Sequence, residues 1–242
     1  MPTIRKIIVC LAVPLLASAT RADESPNTLA DAEKTAGWKL LFDGKTLAGW
    51  HSFKKKTTMP EWSVEHGVMT LTPIQGKRNP GLVTDDAFKN FELSIEWKIS
   101  PGGNSGVFYR VDESETGDEL NWTGIECQVL DDSKYAAAKV ISKYSSGAAY
   151  DMYPPRKDAT KPVGQWNQLH IIVSGNRVEH WLNGEKIVDY DILSDDWLKR
   201  YEGSKFNSHP KYGRIAAGHI ALQEHGSAVE YRNVKIREIA AK

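Results

Sequence analysis

The chain has 242 residues, 40% of them hydrophobic and 26% charged, with 31 Lys and Arg against 31 Asp and Glu. Balanced charge excludes the clustered positive excess that nucleic acid demands. Two cysteines exclude a disulfide framework, so stability must come from burial, and roughly 200 residues suffice for one core.

Arg5 and Lys6 precede an apolar run from Ile7 to Leu16, and Ala17-Ser18-Ala19 follows. That order predicts a signal peptide over residues 1–19 and export to the periplasm or beyond. The run is too short to cross a bilayer, and no later segment is apolar enough. Removing it takes away two cations, no acid and Cys10, which leaves Cys127 unpaired. Residues 20–36 are polar and read as a linker, with one helical turn near Leu29 to Lys34. A single domain is expected over residues 37–240.

Strand signals then dominate. Trp62 to Glu65 and Val68 to Leu71 flank His66-Gly67, a hairpin signature. Phe91, Leu93, Ile95, Trp97 and Ile99 alternate with polar residues, so one face of that strand is buried. Asn104 to Arg110 and Ile125 to Val129 follow as strands. Leu169, Ile171 and Val173 lead through Ser174-Gly175-Asn176 into Val178 to Leu182. Asn183-Gly184 is a strong hairpin signal, because both central residues of a type I′ turn need positive φ. Ile187 to Tyr190 is the return strand. His219 to Glu224 and Val229 to Ile236 form a last pair. Helical patterning is limited to Ser133–Val140 and Asp195–Tyr201. Many strands, frequent turns and few short helices predict an all-β, two-sheet sandwich. Two long irregular connections, 112–123 and 142–165, are where such a scaffold carries function.

Candidate chemistry gathers on one sheet face. Ile125, Cys127 and Val129 point inward, which turns Glu126 and Gln128 outward together. Gly106 leaves room for close approach on the neighbouring strand, which strict alternation ends with Arg110. His219, Ala221, Gln223 and His225 share a face. The expected cluster is Arg110, Glu126, Gln128, Gln223 and His225. These residues make directed hydrogen bonds, and nearby Trp and Tyr stack on sugar rings. No metal-binding helix motif, phosphate loop or nucleophile elbow is present.

Six stretches carry a resemblance. They are Gly37 to Lys45 with Gly49-Trp50; Asn104 to Arg110; Glu126 to Asp131; Gly164 to Asn167; His180 to Gly184; and Leu222 to Gly226 with Tyr231 to Val234. In this order over residues 37–239 the chain resembles the 3-keto-disaccharide hydrolase family. The resemblance implies a concanavalin A-like jelly roll whose concave sheet holds a carbohydrate. It also implies cleavage of glycosides oxidised to a ketone at carbon 3, where the ketone acidifies the hydrogen on carbon 2. A base removes that proton, the aglycone leaves carbon 1, and hydration completes a net hydrolysis.

Such chemistry needs a base, an enolate stabiliser and an acid, and Glu126, His225 and Arg110 suit these tasks without a fixed division of roles. A divalent cation would be an alternative to Arg110 as stabiliser. Asn104, Tyr109, Gln128 and Tyr150 are candidates for holding the sugar, with His180, Gln223 and Arg232. Ordinary glycoside hydrolysis fits less well, because the position alternate to Glu126 is Gln128 and not a second acid. The alternative function is a non-catalytic carbohydrate-binding or adhesion module using the same groove.

Overall fold

A computed structural model describes residues 25–76, 80–135 and 140–240. The predicted signal peptide lies outside the described residues. Among the described residues thirteen strands form two antiparallel sheets. The strands are β1 (Lys39–Leu40), β2 (Trp50–Ser52), β3 (Trp62–Glu65), β4 (Val68–Leu71), β5 (Gly81–Phe88), β6 (Phe91–Ile99) and β7 (Asn104–Val111). Then come β8 (Ile125–Leu130), β9 (Asn167–Ser174), β10 (Arg177–Leu182), β11 (Glu185–Asp191), β12 (Gly218–Gln223) and β13 (Val229–Glu238). The larger sheet runs β11-β10-β9-β6-β13-β4-β3, with β1 paired to β13. The smaller runs β2-β5-β12-β7-β8. The two-sheet sandwich read from the sequence is therefore the fold.

The core follows from the alternation. Phe91, Leu93, Ile95 and Trp97 of β6 are buried, and so are Leu169, Ile171 and Val173 of β9. They meet Val107 and Tyr109 of β7 and Ile125, Cys127 and Val129 of β8 across the sandwich. The opposite face of the larger sheet is polar: Arg232 pairs with Glu96, and Arg237 pairs with Glu92. The hairpin at Asn183-Gly184 has φ of 51° and 84°, as a type I′ turn requires.

Two local readings change. The described part of the segment read as a linker, residues 25–36, is docked on the sandwich. Asn27 donates its side-chain amide to Gly67 O and exchanges hydrogen bonds with Asn233, and Glu33 pairs with Lys235. Its helix, α1 (Asp31–Thr35), lies where one turn was expected. The other change is a β-bulge on β7. Val111 pairs with His219 and Phe108 with Ala221, so β7 carries one residue too many there. Arg110 takes up the excess at φ 59°. A bulge reverses the in–out alternation beyond it. Val111 accordingly joins Phe108, Val83, Ala221, Phe53 and Leu120 in a small apolar cluster beside the main core.

The orientation of β6 has a direct test. Trp97 is 2% exposed at the centre of the larger sheet. Trp97→Ala should destabilise the fold by about 3–5 kcal/mol through lost burial and a cavity. Chemical denaturation with unchanged slope and a lower midpoint is the expected result; an unchanged midpoint would contradict the packing.

Candidate active site

The smaller sheet turns its second face away from the main core. On that face Glu126 and Gln128 of β8 stand beside Gly106 and Phe108 of β7, to which they are paired in register. A methyl group on Gly106 would come within 2.3 Å of Glu126 Oε1. The space left by Gly106 is thus filled by the carboxyl group of Glu126. This side chain lies back across the sheet and does not extend into solvent.

A cavity of about 390 Å³ opens above it. Glu126, Gln128, Asn104, Gln223 and His225 line its sheet side, and Tyr150 and Lys205 come from loops. Both long connections contribute, since residues 118–121 form one wall. Leu120 anchors that wall in the small apolar cluster. Further ties come from Glu113, which bonds His51 Nε2 at 2.8 Å, and from Lys54, whose Nζ donates to the carbonyls of Glu115 and Gly117. The loop is held from both ends, so Asn121 faces the cavity from a fixed backbone.

The electrostatics single out Glu126. It is 4% exposed, and burial pushes its carboxyl up to about 8 against the opposing pull of Lys205. A carboxyl group in that position keeps its proton at neutral pH. Tyr150, whose backbone N–H donates to Glu126 O, is likewise pushed upward, first by burial and then by Glu126. Two buried amide oxygens in the cavity wall, Asn121 Oδ1 and Gln223 Oε1, have no hydrogen-bond partner among the described residues, and Asn104 Oδ1 has none while its amide nitrogen faces His225. Unpaired buried acceptors cost on the order of 1–3 kcal/mol each, so the cavity is built to receive hydroxyl donors. His225 sits at the exposed edge, with its Nδ1 3.3 Å from the Asn104 amide.

A second cavity, of about 820 Å³, lies at the far end of β8 between Asp131, Asp132 and Val163. Burial raises Asp132 to about 6, yet its carboxylate is already engaged by the Ser146 N–H. It presents no unpaired buried amide among the described residues. The first cavity is therefore the stronger site.

The structure brings together Glu126, Gln128, Gln223, His225, Asn104 and Tyr150 and leaves out four other candidates. Arg110 is turned off the cavity face by the bulge, and its guanidinium donates to Gly213 O at 2.8 Å and Gly175 O at 2.6 Å. Tyr109 and His180 are fully buried between the sheets and bond one another at 2.9 Å, with Tyr190 as a third member. Before the bulge, even positions 104, 106 and 108 of β7 face the cavity side, so odd-numbered Tyr109 follows the core side. Arg232 lies on the other sheet, paired with Glu96 and stacked 4.1 Å from the Trp166 ring centroid. His219 Nδ1 donates to Thr84 O, and the ring does not line the cavity. Lys205 and Asn121 were not foreseen: neither sits in a periodic segment, and only the length of loop 112–123 pointed toward Asn121. Among the described residues no three His, Cys, Asp or Glu side chains converge as a metal site. The donor set does not match a resident cation, and no step below runs through one.

Burial of Glu126 sets a sign for stability against pH. Its folded value lies above its unfolded one, so between about pH 4.5 and 8 the folded chain holds a proton that the unfolded chain has lost. The contribution of Glu126 then falls by about 1.4 kcal/mol per pH unit across that window. Glu126→Gln should remove this slope, so its melting temperature should gain on the wild type from pH 5 to 8. A constant difference across the range would contradict a buried, proton-retaining carboxyl group.

The chain is 32% identical over 227 residues to a 3-keto-disaccharide hydrolase of Bacteroides thetaiotaomicron, covering 83% of this chain and 78% of that one. A crystal structure of a candidate glycosyl hydrolase from Parabacteroides distasonis is 34% identical, with a TM-score of 0.80 over 89% of this chain and 100% of the other. A Bacillus subtilis protein with a galectin-like fold matches at a TM-score of 0.52 and 12% identity, covering 90% of this chain and 96% of its own, a likeness of fold alone. The family described as the 3-keto-alpha-glucoside-1,2-lyase-like domain matches residues 37–237, almost the whole sandwich, and the chain belongs to that family.

Proposed function

We propose that the protein is an exported enzyme that cleaves 3-keto-glycosides, disaccharides among them, by proton abstraction at carbon 2 followed by elimination and hydration. The observation that carries this reading is Glu126, a buried carboxyl group titrating near 8 in a cavity lined by unpaired amide oxygens. A binding module needs the amides but has no use for a proton-holding acid. The names of its relatives and its family agree with action on a glycosidic bond. Export rests on the signal pattern in residues 1–19.

The roles divide by proton content. Glu126 is protonated at neutral pH and serves as the acid for the leaving oxygen. His225 is the base. The Asn104 amide can present either end to it; with its oxygen toward the ring it accepts Nδ1–H and leaves a lone pair on Nε2. Nε2 takes the proton from carbon 2, and the electron pair moves through the carbonyl onto the oxygen of carbon 3. The carbonyl re-forms as the bond from carbon 1 to the aglycone oxygen breaks, and Glu126 protonates that oxygen. The ionised Glu126 then takes a proton from water and the hydroxide adds to carbon 1 of the enone; exposed His225, having exchanged its proton with solvent while the aglycone departs, protonates carbon 2. Both residues end as they began.

Unoxidised disaccharides should be inert, because their carbon-2 hydrogen has no adjacent carbonyl. Assays with 3-keto-trehalose and 3-keto-sucrose beside trehalose and sucrose test this; equal cleavage of plain and keto forms would overturn the reading in favour of ordinary hydrolysis. Glu126→Gln and His225→Ala should each lower kcat by about 10²–10⁴-fold. Turnover should fall as pH rises through about 8, where the acid loses its proton; a rise through that range would make Glu126 a base and contradict the assignment. Gly106→Ala should stay folded, with a lowered melting temperature, but lose most activity, since the methyl group meets Oε1, Cγ and Cδ of Glu126 at 2.3–2.9 Å and the whole carboxyl arm must swing away. Full activity in that variant would detach Glu126's placement from catalysis.

A further inference from the structure

Arg110 cannot stabilise an enolate in this cavity, and the position of Lys205 offers another cation. Helix α2 (Asp195–Glu202) ends at Gly203, and the chain then enters a loop held by buried Phe206 and Tyr212. The backbone N–H of Lys205 donates to Asp151 Oδ2 at 2.7 Å. Asp151 is itself paired with Lys143 at 2.5 Å, so its charge is already answered. The Lys205 side chain projects from this pinned backbone into the cavity wall. Its ammonium lies 4.5 Å from the Tyr150 ring centroid and 5.2 Å from that of Phe206. Among the described residues it has no carboxylate partner.

That arrangement is unusual for a lysine beside a carboxyl group. Two aromatic faces orient the ammonium without neutralising it. Glu126, the nearest buried acid, is protonated at neutral pH and supplies no counter-charge. Among the described residues the ammonium therefore sits without an ion-pair partner on the Tyr150 side of a cavity whose acids other than Glu126 are Asp118 and Glu119 of loop 112–123 and Glu224 at the end of β12. Fixed charges of this kind act on negative charge that develops during a reaction and need no reorganisation when it appears.

We propose that Lys205 is a catalytic residue whose ammonium receives the oxygen of carbon 3 as the carbon-2 proton leaves. This rests on the 3-keto-glycoside reading above. Negative charge on that oxygen is present in the enolate and absent from both substrate and product, so the contact acts on the transition state and not on binding. The ammonium keeps its three protons throughout; it donates a hydrogen bond and no proton is transferred. The same charge opposes ionisation-suppressing burial at Glu126, which couples the two groups.

The test compares the wild type with Lys205→Met and Lys205→Arg on 3-keto-trehalose and 3-keto-sucrose. Lys205→Met should lower kcat by about 10²–10³-fold with little change in KM. Lys205→Arg should recover part of the loss, because the charge returns with altered reach. The alkaline fall in the remaining activity of Lys205→Met should move to higher pH, since the charge that eases ionisation of Glu126 is gone. The side chain is exposed, so melting temperatures should agree across the set. If the wild type is active and Lys205→Met keeps kcat within about threefold, or raises only KM, the Lys205 assignment is overturned alone. If the wild type is inert on both keto sugars, the assignment falls together with the function it rests on.

Discussion

Glu126 occupies a position that water would normally claim. Its carboxyl group lies on a sheet, over a glycine that leaves room for it, under a cavity wall that keeps it nearly dry. Ionising a carboxyl group there costs more than retaining the proton, and its titration moves up to about 8. The rest of the site can be understood as what this demands. Gly106 must lack a side chain, and Tyr150 must cover from the neighbouring loop. Polar residues alone would give a binding groove. The buried proton makes the groove capable of acid catalysis.

The scaffold supplies rigidity for that arrangement at several points. Loop 112–123 is long and irregular, yet it carries Asn121 into the cavity wall. Leu120 plugs it into an apolar cluster on the cavity side of the smaller sheet, and the pair of bonds around His51 fixes its start. On the opposite side, stacked Phe206 and Tyr212, 4.1 Å apart between ring centroids, hold the loop bearing Lys205. Catalytic groups placed on loops gain precision only when the loops are packed in this way.

Much of the fold was legible because burial imposes a period of two. Strands β6, β8 and β9 each alternate cleanly, and that alternation alone put Glu126 and Gln128 on one face. The same rule failed at Arg110. A bulge adds a residue without any mark in the local sequence, and every orientation beyond it reverses. Tyr109 and His180 were chosen for their chemistry, but their burial follows from pairing across two sheets, which short-range pattern does not encode. Strand β5 went unread because Asp85 and Asp86 interrupt its apolar run at a register shift against β12. Lys205 had no pattern at all. Its role depends on where a loop returns, a property of the whole fold.

The central claim is that the carbon-2 hydrogen is lost and replaced during cleavage. Running the reaction on a 3-keto-glycoside in heavy water tests this most directly. Elimination followed by hydration predicts one deuterium at carbon 2 of the keto sugar released. The product is read by NMR at early turnover, against the same keto monosaccharide incubated without enzyme. A product that retains its original carbon-2 hydrogen, at a rate of cleavage above that background exchange, would contradict the account and make the reaction a direct displacement at carbon 1.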